Sequence, residues 1–120
     1  MNLTLGEMEL KFLNLIWDNE PITSGVLVQL CSEQFDWKKS TTYTVIKKLS
    51  NRHLIQNLHG TVTSLIGRDE YYSLQSKHFV EKFFAGSLPS FIAAFTKKES
   101  LSEQEIESIS DLINSKRKEE

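Results

Sequence analysis

A single cysteine, Cys31, leaves this chain without an internal disulfide. It lies in the apolar run VLVQLC, where a buried structural thiol is the expected role. No cysteine or histidine cluster has metal-ligand spacing, so no metal is expected. No stretch approaches about 18 apolar residues, which excludes a spanning helix and membrane insertion. The opening MNLTLGEMEL lacks a basic segment leading into a long apolar run, so no signal peptide is expected and the chain reads as cytoplasmic. His53, His59 and His78 are scattered, and no Ser-His-Asp order, phosphate-cradling glycine loop or paired-carboxylate motif stands out. Neither catalysis nor a cofactor is expected.

The most informative absence is local. From Trp37 to Arg68 there is no Asp or Glu, while Lys38, Lys39, Lys47, Lys48, Arg52 and Arg68 all fall there. The whole chain has formal net charge −2, so the bias belongs to this segment and not to the bulk. A segment that excludes acids while collecting lysines is suited to face a polyanion.

The chain supplies clear helix punctuation. Thr4-x-x-Glu7 reads as a capping box with Leu3 and Met8 as its hydrophobic staple, and apolar residues then recur at helical spacing to Trp17. Glu20-Pro21 ends that helix. Thr23 is the next N-cap, with Ile22 and Leu27 as a second staple, and this helix fades near Phe35-Asp36. The third helix is expected over about Ser40 to His53, capped by Ser40 or Lys39, with Thr42, Val45, Ile46 and Leu49 on its buried face. LIQNLH and TVTSLI are strand-like runs around His59-Gly60, a short hairpin. A helix follows from Gly67 to about Ala85, broken by Gly86-Ser87. LPSFIAAF then forms a short apolar helix, and Ser102-x-x-Glu105, stapled by Leu101 and Ile106, starts the last.

The fold class expected is mainly α with a small β-hairpin: a winged helix-turn-helix over residues 1–66, then a three-helix dimerisation segment over 67–120. In that design the third helix enters the DNA major groove. Ser40, Thr41 and Thr44 offer short hydroxyl arms to base edges, and Tyr43 offers a ring and a hydroxyl. Lys47 and Lys48 reach phosphates or guanine edges, and Lys38 and Lys39 precede the helix where the backbone passes. His59 at the hairpin turn completes the set of DNA-binding candidates.

The C-terminal helices carry Phe79, Phe83, Phe84, Leu88, Phe91, Ile92, Phe95, Ile106, Ile109, Leu112 and Ile113. Pairing with a second copy would bury this apolar surface, and a two-fold dimer would present two heads to an inverted-repeat operator. The alternative from the residues alone is a winged-helix protein-interaction module without DNA binding.

Four blocks, LTLGEMELKFLNLIW, WKKSTTYTVIKKLSNRHLI, LIGRDEYY and FFAGSLPSFIAAF, resemble in order those of the penicillinase-repressor family (BlaI/MecI type). The resemblance implies a homodimeric transcriptional repressor on operator DNA dyads, reading bases through Ser40, Thr41, Tyr43, Thr44 and Lys48. It also implies relief of repression by proteolysis, triggered by a membrane sensor-protease, at a place corresponding to Ala94-Phe95. Alanine stands before that bond where the best-known members have asparagine.

Overall fold

Glu9 decides where the first helix begins. In the computed structural model, which describes residues 4–118, its carboxylate accepts the Gly6 backbone N–H at 3.0 Å, so Gly6 and not Thr4 is the N-cap of α1 (Glu7–Asn19). The capping reach of a glutamate is thus present, but two residues later than Thr4-x-x-Glu7 suggests. Leu3, the expected staple partner of Met8, lies outside the described residues. Phe12, Leu13, Leu15 and Ile16 bury the inner face of α1, and Pro21 follows its end.

Two residues then extend as β1 (Ile22–Thr23), a strand the sequence does not announce. Thr23 caps α2 (Ser24–Phe35) by accepting the Val26 N–H at 3.2 Å, and Ile22 and Leu27 are both buried, as a staple requires. Asp36 turns left-handed (φ 57°) and ends α2. The chain re-enters helix at once as α3 (Lys39–Asn51), whose N-cap is Lys38 rather than Ser40 or Lys39 and makes no side-chain cap. Thr42, Ile46 and Leu49 are buried, with Val45 packed beside them.

The wing is β2 (Ile55–Leu58) and β3 (Thr61–Ser64), with Leu58 opposite Thr61. His59 (φ 53°) and Gly60 (φ 86°) are both left-handed, the geometry of a type I′ two-residue turn. β1 adds antiparallel to β3, so the sheet has three strands in the order β1-β3-β2 instead of a bare hairpin. Gly60 O accepts the Ser24 N–H at 2.8 Å, tying the turn to the start of α2.

The core gathers α1, α2, α3 and the sheet around Phe12, Leu13, Ile16, Leu27, Leu49, Leu54, Ile55 and Val62. Burying each such side chain is worth about 1.5–3 kcal/mol against leaving it in water. Phe12 stacks on Trp37 at 5.7 Å, and Trp37 meets Phe35 at 5.2 Å.

α4 (Arg68–Phe84) opens with Gly67 O accepting the Tyr71 N–H. Its first turns belong to the same unit, which extends to Ser76; the second compact unit begins at Lys77. Arg68 packs on α1: it donates to Asp18 at 2.6 Å and to Asn14 Oδ1 at 3.2 Å, and lies over the Trp17 ring.

The second unit holds the end of α4, α5 (Leu88–Phe95) and α6 (Glu103–Ser115). Ala85 and Gly86 are both left-handed between α4 and α5. Ser87 caps α5, and Ser102 with Glu105 forms a complete capping box on α6. Phe79, Phe84 and Phe91 make a ring cluster with centroids 5.5–6.1 Å apart. No residue of α5 or α6 is buried.

Candidate nucleic-acid interface

The helical repeat sorts the exposed side chains of α3 into three directions. Ser40, Thr44 and Lys47 follow one another at spacings of four and three and share the outermost face. Asn51, four residues past Lys47 and exposed, extends that face; its spacing was readable in the sequence, but its type did not mark it. Thr44 Oγ1 donates to Ser40 O at 2.9 Å. Its lone pairs and methyl group remain able to meet a donor or a thymine methyl.

Tyr43 leans toward α2, where its hydroxyl donates to Ser24 Oγ at 3.2 Å. Lys39 Nζ stands 6.0 Å from the centre of the Tyr43 ring. Tyr43 therefore braces the start of α3 against the start of α2 while staying partly exposed. Ser24 escaped sequence reasoning because its partner is nineteen residues away.

Lys48 takes the opposite flank. Its Nζ pairs with Glu9 Oε2 on α1 at 3.0 Å. The backbone N–H of Gly6, and then Lys48, hold the Glu9 carboxyl below the usual carboxylate range. Lys48 thus has an internal partner that its sequence neighbourhood, free of acids, did not reveal.

Lys38, Lys39, Ser40 and Thr41 are exposed around the first turn of α3. Among the described residues, Lys38, Lys39 and Lys47 form no ion pair, so their charges are available to an outside anion. Lys47 lines an open groove of about 580 Å³ between α3 and β2, with Ser50, His53, Gln56 and Asn57. His59 is exposed at the wing turn. Arg68, the last basic residue of the acid-free stretch, is committed to Asp18 and Asn14.

Burial pushes the Cys31 thiol up, keeping it protonated, and Tyr71 is pushed up in the same way. Among the described residues no cluster could hold a metal ion, and no helix is long and apolar enough to cross a membrane.

In the second unit, Phe79, Phe83, Leu88, Ile92, Phe95, Ile106, Ile109, Leu112 and Ile113 are exposed, while Phe84 and Phe91 are half-buried in the ring cluster. Ala94 and Phe95 form the last turn of α5, and Thr96 is its C-cap.

Comparison with known proteins matches this architecture along its length. The penicillinase repressor family profile covers residues 5–115. The methicillin resistance regulatory protein MecI of Staphylococcus aureus (strain Mu50) is 28% identical over 116 residues, spanning 93% of this chain and 94% of that protein. The penicillinase repressor of Bacillus licheniformis is 25% identical over 91% of this chain and 88% of its own length. That of Staphylococcus aureus is 24% identical over 85% and 84%. With its helices, three-stranded wing and matched span taken together, the chain belongs to the penicillinase repressor family.

Proposed function

We propose that this protein is a transcriptional repressor that binds double-stranded operator DNA as a homodimer, with α3 in the major groove. The observation that carries the reading is the outer face of α3. Short hydroxyls on Ser40 and Thr44 sit beside the unpaired ammonium of Lys47, with Lys38 and Lys39 at the helix start. Nothing acidic interrupts that face, and its side chains fit the division between base readers and phosphate anchors. Relatives named as penicillinase repressors support the same function.

Two copies are needed for the second unit to complete its core. Apolar side chains of α5 and α6 stand exposed on a single chain, which a soluble helix pair does not sustain without a partner. A two-fold pair would cover them and set two recognition helices on an inverted repeat. Cleavage at Ala94-Phe95 by a membrane sensor-protease would relieve repression by cutting this paired unit. The bond lies in the last turn of α5, so a protease must first unwind that turn to take it as an extended chain.

Selection of bound fragments from the host genome tests the reading. The expected product is a small set of fragments sharing an inverted repeat, with Thr44→Ala relaxing preference at one step of each half-site. Recovery of random fragments, equally with Thr44→Ala, would overturn base reading by α3.

A further inference from the structure

Lys48 is the only lysine of α3 with a carboxylate partner among the described residues. The pair is asymmetric: the Glu9 side chain is 19% exposed and that of Lys48 59%. Glu9 is anchored from within, since its other oxygen accepts the Gly6 N–H that starts α1. The lysine is the mobile partner, a flexible stem with its charged end near solvent. An ammonium in that position has two possible anions, the fixed carboxylate and a DNA phosphate reaching the α1 side of α3.

We propose that Glu9 withholds Lys48 from the DNA backbone, acting as a built-in competitor for phosphate and thereby as a positioning residue for the recognition helix. The proposal rests on the DNA-binding reading above. With Glu9 in place, each head neutralises phosphates through Lys38, Lys39 and Lys47 while Lys48 stays docked on α1. Glu9 is little exposed, so a phosphate that drew Lys48 away would leave a partly desolvated carboxylate with a weaker set of partners. The consequence is a lower sequence-independent affinity than the lysine count of α3 suggests. Since phosphate neutralisation underlies non-specific binding, the Glu9–Lys48 pair favours discrimination over sheer affinity.

Glu9→Gln isolates the charge. The glutamine carbonyl can still accept the Gly6 N–H, so α1 keeps its start. The readout is the slope of log affinity against log salt on a random duplex, for the full chain. Each additional phosphate neutralised steepens the slope by about 0.9, which is about a 3.5-fold larger loss of affinity per head for a fourfold rise in salt. Glu9→Gln is expected to steepen the slope by that amount and to tighten random-duplex binding at low salt. Lys48→Gln is expected to leave the slope of the parent unchanged, and Lys48→Gln combined with Glu9→Gln to cancel the gain.

A Glu9→Gln slope equal to the parent's overturns the proposal, as does a Lys48→Gln variant whose slope is flatter by about 0.9 per head. A merely structural ion pair would alter melting and leave these slopes alone. Should Glu9→Gln fail to fold, Glu9→Ala removes the same charge and is expected to steepen the slope by the same amount, an unchanged slope again overturning the proposal. Lys47→Gln is the control for the underlying reading: if it too leaves the slope unchanged, the failure lies with DNA contact by α3 and not with Glu9.

Discussion

Ile109→Asp in α6 should dissociate the proposed dimer. Ile109 is 42% exposed on the single chain, so slightly less than half of its surface remains for a partner to cover. Fully burying an isoleucine is worth about 1.5–3 kcal/mol, which makes the uncovered part about 1 kcal/mol. A two-fold interface counts each change twice, so Ile109→Ala alone should cost the dimer about 2 kcal/mol, about 30-fold in Kd. Aspartate adds a carboxylate on each side that must lose water without a partner, a further cost of several kcal/mol. Together these raise the dimer Kd by several orders of magnitude. Sedimentation equilibrium measures this directly, and the same sample serves for operator titration. The expected result is a monomer for Ile109→Asp, a weakened dimer for Ile109→Ala, and loss of operator binding in step with dissociation. Dimers of unchanged Kd in both variants would refute the reasoning and leave the α6 stripe outside the interface.

Three further outcomes follow from the first unit. Thr42 on α3 is fully buried and its hydroxyl, near the Cys31 thiol, makes no well-formed hydrogen bond, so Thr42→Val should raise stability by about 1 kcal/mol, read as a higher Tm. His59 occupies the first left-handed position of a type I′ turn that asparagine adopts more readily, so His59→Asn should stabilise the wing by about 0.5 kcal/mol in urea unfolding. The Glu9 carboxyl is held below its ordinary value of 4.5 in the folded chain. Its contribution is therefore present above that value and lost as pH falls through the lower folded value, and Glu9→Gln should flatten that part of an acid unfolding curve.

The elements that local chemistry specifies were legible in the sequence. Thr23 and Ser102 cap the helices they were expected to cap, because each needs only the backbone N–H groups of its own first turn. Gly86-Ser87 and His59-Gly60 mark the breaks they suggest. What the sequence concealed depends on partners far along the chain. Two acidic residues sit near the start of α1, and Lys48 on α3 helps fix Glu9 as the one that caps. β1 exists because Ile22 and Thr23 meet Val62 and Thr61, and two residues carry no periodicity to betray a strand. The candidate interface divides in the same way. The acid-free stretch marks α3 correctly as a basic element, yet it cannot separate Lys47, which is unpaired, from Lys48, which is not. Nor can it show that Tyr43 reaches Ser24, or that Arg68 is spent on Asp18.

The most direct test of DNA recognition by paired heads is the salt dependence of binding to the DNA upstream of the protein's own gene, followed by fluorescence anisotropy. With about 6–10 phosphates neutralised per dimer, affinity should fall by about 10³–10⁵ between about 50 and 200 mM salt. A response that stays flat across that range would contradict the account.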